Sequence, residues 1–162
     1  MWARFRHLWL AFSALPSLLV DARRRTLLAE MRVFCRALPA ALNAPLPNAL
    51  RALTPTEYAI RDALQDEATL CRLADLAALL DRCSPLGLCL RRSLTRYHFL
   101  RRAGVPVVLQ FGAKFASGQP DRNINGHAWL TLDGQPYYED DENWRGFTVM
   151  FSYSPEIFQS AS

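Results

Sequence analysis

The chain has 162 residues, 51% of them hydrophobic, which is enough to bury one core without disulfides or metal ions. Its formal net charge is +4, with arginines clustered at residues 23–25 and 91–102. No DNA-binding motif or base-stacking aromatic pattern accompanies them, so we expect solvated helix faces and no nucleic-acid partner. The four cysteines are irregularly spaced without a CxxC pair, which argues against a disulfide framework and favours a reducing, cytoplasmic location.

The first twenty residues, MWARFRHLWLAFSALPSLLV, combine basic residues with a short apolar run. Pro16 interrupts this run, no A-x-A cleavage signature follows it, and it is too short to span a bilayer. We therefore expect a helix packed on the domain rather than a secretory signal or a membrane anchor.

The first hundred residues are predicted to be helical, because Ala, Leu and Arg dominate and apolar residues recur at three- and four-residue spacing. Prolines in ALPAALNAPLPNALRALTP predict a stiff connector between separate helices. Thr54, Pro55 and Glu57 form a capping-box pattern, so a long helix is expected to begin there. We divide the chain into a helical N-terminal region, 1–80, and a core, 81–162.

Composition changes after Ala103-Gly104, a helix C-terminal signal. The segments VPVVLQFG and GHAWLTL predict two strands, and the turn Asp133-Gly134 predicts a hairpin with QPYYED as its returning strand. The aromatic tail WRGFTVMFSYSPEIF predicts one more strand. The predicted fold class is α+β, with N-terminal helices followed by a helix that opens at Cys89 and packs on a small antiparallel sheet.

Cys89 lies in the first turn of the basic, amphipathic segment GLCLRRSLTRYHFLRR. At the amino end of a helix, N–H groups and the helix dipole favour a thiolate and lower the pKa of a cysteine. The same N–H groups can stabilise a developing oxyanion. Cys89 is thus the candidate nucleophile, whereas Cys35 and Cys71 lie in Leu-rich helical segments and are predicted to be buried.

A cysteine nucleophile needs an imidazole to accept its proton and a third polar group to orient the ring. His127, in NGHAWLTLDG, is the candidate base, and Trp129 shares its strand face and can shield it from water. A two-residue turn at 133–134 places Asp140 opposite His127, whereas a bulge at the glycine places Glu139 there instead. The spacing alone leaves both carboxylates open.

Arg92 and Ser93 follow Cys89 by about one helical turn, where they can contact a substrate carbonyl or simply pack. With Trp129 they are the candidate substrate-binding residues. His98 lies about two and a half turns after Cys89, too far along the helix axis for a proton relay. No histidine has a second ligand at metal spacing, so the sequence predicts no metal and no cofactor.

The segment CLRRSL at a helix start, a glycine-and-strand segment, and then HAWLTLDG with its histidine 38 residues after the cysteine resemble the transglutaminase-like cysteine peptidases of lasso-peptide biosynthesis. The resemblance is specific over residues 85–140 and only compositional in the helical half. It implies a transglutaminase/papain-like core with Cys89 as the nucleophile and His127 as the base. It also favours Glu139 as the acid over Asp140, although this family usually has aspartate there.

These relatives are leader peptidases, which cut a ribosomally made precursor so that a partner cyclase can close the ring. The resemblance therefore implies a precursor peptide, a separate leader-recognition protein, and an ATP-dependent cyclase that resembles asparagine synthetase as partners. Two other functions stay open: an acyl transferase of transglutaminase type, and a non-catalytic basic helical module that binds an acidic peptide or, as a less favoured case, a membrane surface.

Overall fold

The computed structural model describes residues 21–56, 66–115 and 123–156. The helices in these ranges are α1 (Ala22–Ala41), α2 (Leu46–Leu53), α3 (Glu67–Leu80), α4 (Leu88–Arg102) and α5 (Asp141–Trp144). The strands are β1 (Val108–Phe115), β2 (Ile124–Leu132), β3 (Gln135–Pro136) and β4 (Thr148–Tyr153), and they form one antiparallel sheet in the order β3-β2-β1-β4. The fold is α+β, which confirms the predicted class.

The helix expected in residues 1–20 lies outside the described residues. Within the described ranges, no helix combines the length and the apolar character that a membrane span needs.

The proline-rich segment is more helical than its sequence predicted. Pro39 lies in the last turn of α1, where its missing N–H removes only one helical bond, and the helix continues to Ala41. Pro45 is the N-cap of α2 and Pro47 lies in its first turn, where N–H groups have no partner within the helix. The expected stiff connector is therefore itself largely a short helix.

The helix expected to begin at Thr54 was placed wrongly. Thr54 is the C-cap of α2, and its hydroxyl lies 2.9 Å from that of Tyr97 on α4, so a tertiary contact replaces the predicted cap. The described helix of this region begins at Glu67, after Asp66 accepts a hydrogen bond from the N–H of Thr69. Pro55 is not helical, and Glu57, the acidic member of the expected capping box, lies outside the described residues.

The predicted hairpin is present, but its second strand is short. Leu132 pairs with Gln135 across the two-residue turn, and Asp133 and Gly134 both have positive φ, as a type I′ turn requires. The returning strand stops at Pro136 instead of running through QPYYED. This early stop leaves the outer edge of β2 beyond the hairpin accessible to the start of α4.

The core lies between the sheet and the helices, with α4 at its centre. Its buried apolar residues come from α1, α2, α3, α4 and the sheet, and therefore from both sides of residue 80; they include Met31, Leu50, Ala74, Leu94, Leu109 and Leu130. Burial of this apolar surface fixes α4 against β2.

Candidate active site

Cys89 occupies the first turn of α4, which begins at Leu88 after the N-cap Gly87. The helical ladder starts with the N–H of Arg91, which donates to the carbonyl oxygen of Gly87 at 3.2 Å. The N–H groups before Arg91 therefore have no acceptor within the helix. The thiol of Cys89 is half-buried, so it is held by the protein and still accessible.

Arg91 fixes the loop that leads into Cys89. Its guanidinium donates to the carbonyl oxygens of Ala78 at 2.6 Å, Leu86 at 3.1 Å and Asp81, and it lies 3.8 Å from the Asp81 carboxylate. These bonds connect the end of α3 with the start of α4. They give the nucleophile the rigid support that a cysteine hydrolase needs.

The arginines of α4 are less exposed than the sequence predicted. Arg91, Arg96 and Arg101 are buried, and each pairs with a carboxylate. The expectation of a solvated basic face is therefore wrong for these three, because their aliphatic stems pack in the protein while their charges are neutralised by acidic side chains.

Cys89 and His127 form a hydrogen-bonded pair. This bond lowers the pKa of the Cys89 thiol, against the effect of burial, and the N–H of Ala128 and the charge of the imidazole act in the same direction. Burial of His127 favours its neutral form, but the interactions with Cys89 and Glu139 outweigh it and raise the pKa of His127 to about 9. Both shifts favour a thiolate–imidazolium pair.

Glu139 is the carboxylate beside His127. Its Oε1 lies 3.7 Å from Nε2 of His127, which is an ion-pair distance rather than a hydrogen bond. Both atoms are buried, and neither has a hydrogen-bond partner. Because Nε2 faces Glu139, Nδ1 is the ring nitrogen that faces Cys89. Asp140 is exposed and is the N-cap of α5.

A kink after β3 explains why Glu139 rather than Asp140 lies beside His127. The register of the hairpin continues as far as Tyr137, whose N–H donates to the carbonyl oxygen of Leu130 at 2.9 Å. Tyr138 then has a φ of 51°, which is rare for a residue other than glycine and ends the pairing. The shift of one residue, which the sequence assigned to a bulge at glycine, occurs at Tyr138 instead.

Aromatic rings cover His127. Trp129 stacks on it with ring centroids 5.8 Å apart and an interplanar angle of 15°, and Phe147 lies at 5.3 Å. Gly112, opposite His127 on β1, leaves room for the ring of Trp129. Trp129 is buried, so it shields the imidazole and is not exposed for the substrate contact that the sequence suggested.

Arg92 and Ser93 contact the protein itself. The hydroxyl of Ser93 is buried and donates to the carbonyl oxygen of Ala128 at 2.7 Å, which holds β2 against α4. Arg92 Nε lies 3.2 Å from Asp75, and its Nη2 lies 3.9 Å from Glu139. Acceptors on neighbouring elements occupy both side chains, so both pack against the protein, which is one of the two roles that the sequence left open.

Asp75 and Arg96 were not among the site residues predicted from the sequence. Arg96 forms a bidentate pair with Asp75, at 2.7 and 2.6 Å, and donates to the carbonyl oxygen of Tyr138 at 2.7 Å. It therefore holds the kink that turns Glu139 inward. The signal was present: Asp75 is a single carboxylate on the buried face of the apolar helix LCRLADLAALL.

The other cysteines lie away from this pair. Cys35 and Cys71 are buried, in the positions predicted for core residues, and burial raises the pKa of both thiols, that of Cys71 to about 12. Cys83 is exposed in the loop before α4. Cys89 is thus the cysteine with the environment of a reactive thiol.

A cavity of about 530 Å³ opens where the ends of β1, β2 and β4 meet, and its lining includes Lys114, Phe115, Ile124, Arg145 and Met150. The ammonium group of Lys114 lies 4.2 Å from the ring centroid of Phe147, which also packs on His127. Phe147 thus contacts both Lys114, which lines the cavity, and the imidazole.

A thiol on a helix, an imidazole on a strand and a buried carboxylate beside the imidazole are the three catalytic groups of a cysteine hydrolase. The model of the transglutaminase-like superfamily matches residues 17–152. The chain belongs to this superfamily. Membership indicates an activity of the cysteine peptidase or acyltransferase type, which agrees with the geometry. No curated protein and no solved structure gives a significant match to the sequence.

Proposed function

We propose that this chain is a thiol peptidase that removes the leader from a lasso-peptide precursor. The observation that carries the proposal is the half-buried thiol of Cys89, hydrogen-bonded to His127, whose other ring nitrogen faces Glu139. The substrate class rests on the resemblance of CLRRSL and HAWLTLDG to the leader peptidases of that pathway.

In the proposed reaction, the thiolate of Cys89 attacks the scissile carbonyl carbon, and the N–H groups at the start of α4 stabilise the oxyanion. The imidazolium of His127 gives its proton to the leaving amine as the C–N bond breaks, which leaves a thioester. His127 then deprotonates a water molecule that attacks the thioester and releases the acid. Glu139 orients the ring and stabilises its positive charge throughout.

The cavity beside Phe147 supports a peptide substrate. Its lining is mainly apolar, with exposed Met150 and Ile124 and the cationic Lys114 near the ring that covers His127. A peptide bound there can cover the exposed apolar side chains of Met150 and Ile124.

We further propose that the chain acts in the cytoplasm together with a separate leader-recognition protein. Ring closure then belongs to an ATP-dependent cyclase that resembles asparagine synthetase. Hydrolysis of a peptide bond by the three proposed catalytic residues needs no ATP, so cleavage and closure are separable steps in this scheme.

Cleavage of the cognate precursor peptide, followed by mass spectrometry in the presence of the leader-recognition protein, tests the proposal. Cys89→Ala and His127→Ala should each abolish release of the leader while the circular dichroism spectrum is unchanged. Cys83→Ala is the matched control, since it removes a thiol from the loop before α4 without touching the pair. Unchanged processing by either catalytic variant contradicts the mechanism.

Superfamily membership also favours a second candidate, acyl transfer to an amine by the same three residues. Addition of a primary amine to the cleavage assay distinguishes the two, because transfer leaves an amide adduct and hydrolysis leaves a free acid. A non-catalytic basic module is less favoured because Arg91, Arg96 and Arg101 are buried in ion pairs. Its signature is salt-dependent peptide binding that Cys89→Ala leaves unchanged.

A further inference from the structure

On the side of Glu139 away from His127 lie Asp75, Arg92 and Arg96, which form with Glu139 a cluster of four charges. The side chains of Asp75, Arg96 and Glu139 are buried, and that of Arg92 is half-buried. Oε2 of Glu139 lies 3.9 Å from Arg92 and 3.8 Å from Arg96. Asp75 is closer to both arginines, at 3.2 Å from Arg92 and 2.6 Å from Arg96. The side chains of Asp75, Arg96 and Glu139 are 7%, 7% and 3% exposed, so water screens these charges little.

The distances show how the two oxygens of Glu139 are divided. Oε2 faces the arginines, whereas Oε1 faces His127 at 3.7 Å. Asp75 holds the arginines by direct hydrogen bonds, including a bidentate pair with Arg96. With two carboxylates and two guanidinium groups, the four-charge cluster is neutral. Because Asp75 accepts direct hydrogen bonds from both guanidinium groups, Glu139 approaches them only through Oε2, and its Oε1 can face the imidazole.

We propose that Asp75 is a positioning residue for the Cys89–His127–Glu139 triad: it holds Arg92 and Arg96 so that Glu139 stays directed at His127. This inference rests on the proposed function, in which His127 is the base. Asp75 touches neither the substrate nor the reacting atoms, and it acts through the two arginines and Glu139.

Removal of the Asp75 charge has two effects on the pKa of His127, and both lower it. In Asp75→Asn, Glu139 becomes the sole carboxylate for the guanidinium groups of Arg92 and Arg96, so it moves towards them and away from His127. The cluster also gains one net positive charge behind the imidazole. Both effects disfavour the imidazolium, so the pKa of His127 should fall.

The other groups around the imidazole do not change in this variant. Cys89 faces it from α4, and Lys114 lies on the far side of the Phe147 ring. Cys71, near Arg96, is neutral because burial raises its pKa to about 12. A change in the titration of His127 is therefore attributable to the cluster.

Titration of His127 by NMR in ¹⁵N-histidine-labelled protein tests the inference without a substrate. The chain has three histidines, and His127→Gln assigns the signal. In the wild type, we expect a pKa of about 9. In Asp75→Asn the pKa of His127 should fall by about one pH unit or more. In Asp75→Glu, which keeps the charge, it should stay close to the wild-type value.

A control removes the carboxylate partner of a different buried arginine of α4. Glu156→Gln removes the partner of Arg101, which is also buried, and should leave the titration of His127 unchanged. Thermal unfolding of each variant is measured in parallel. A purely structural role for Asp75 lowers the melting temperature without moving the pKa of His127.

The double variant Asp75→Asn/Arg92→Gln restores a neutral cluster but leaves Glu139 as the sole carboxylate for Arg96, so the pKa of its His127 should still lie at least about half a pH unit below that of the wild type. It decides the outcome even if Asp75→Asn does not fold. A pKa of His127 equal to that of the wild type, in folded Asp75→Asn or in the double variant, overturns the inference. A wild-type His127 that titrates near 6.5, the usual value, overturns the proposed function itself.

Discussion

Gly112→Ala should displace Trp129, the ring that stacks on the active-site imidazole of His127. A Cβ atom at position 112 lies 2.6 Å from Cη2 and 2.7 Å from Cζ3 of Trp129, and 3.0 Å from the carbonyl oxygen of Thr148. Carbon atoms in contact are normally about 3.5–4.0 Å apart, so the overlap with the indole ring is about 1 Å. The Thr148 backbone blocks one way out, and Trp129 must therefore shift.

The displaced ring changes both stability and reactivity. Overpacking of this kind costs about 1–3 kcal/mol, and a chain of this length loses about 2–4 °C in Tm per kcal/mol. Trp129 stacks on His127, so the imidazole moves with it and Cys89 loses its hydrogen-bond partner. We expect a lower Tm and slower alkylation of Cys89 by iodoacetamide at pH 7 in the same variant.

Gly126→Ala is the matched control. Gly126 precedes His127 on β2, and a Cβ atom there has no neighbour within 4 Å. It should therefore leave both the Tm and the alkylation rate close to those of the wild type. If Gly112→Ala behaves like Gly126→Ala in both assays, the proposed connection from Gly112 through Trp129 to His127 is refuted.

Three further predictions concern the triad and its support. Glu139→Gln should lower kcat for precursor cleavage by at least about tenfold, whereas Asp140→Asn, at the exposed neighbouring position, should leave it within about twofold; equal effects would contradict the assignment of Glu139. The rate of cleavage should rise with pH as the Cys89 thiol, whose pKa is lowered, loses its proton. It should fall again near pH 9, as His127 loses the proton that the leaving amine needs. A rise in rate with a midpoint at or above pH 8.5, the value of an ordinary thiol, would be inconsistent with the pair. Ser93→Ala should cost about 1–3 kcal/mol in urea unfolding, because it leaves a buried carbonyl of β2 without its donor; a loss below about 0.5 kcal/mol would show that this bond does not hold β2 to α4.

The parts of the site that local patterns control were predictable from the sequence. The turn at Asp133-Gly134 needs two residues with positive φ, which few residue pairs tolerate, so the hairpin and its register followed directly. The end of α4 was equally clear, because Gly104 adopts the left-handed conformation that follows many helices. These two signals placed the helix of Cys89 next to the strand of His127.

Features that depend on tertiary contacts were not predictable. Tyr138 adopts a positive φ against its own preference, because Arg96 holds its carbonyl oxygen at 2.7 Å. That single dihedral decides between Glu139 and Asp140, and no local pattern encodes it. Likewise, the charge of Arg96 predicted exposure, but its partner Asp75 lies on another helix, and sequence spacing does not reveal a pair separated by twenty-one residues.

The most direct test of the central claim is the alkylation rate of each of the four cysteines by iodoacetamide between pH 5 and 9, mapped by mass spectrometry, in the wild type and in His127→Ala. Cys83, which is exposed, serves as the internal reference thiol. Cys89 should react fastest well below pH 8.5, the ordinary range of a thiol, and should lose that advantage when His127 is removed. Alkylation of Cys89 with the pH dependence of Cys83, or unchanged alkylation in His127→Ala, would contradict the thiolate–imidazolium pair.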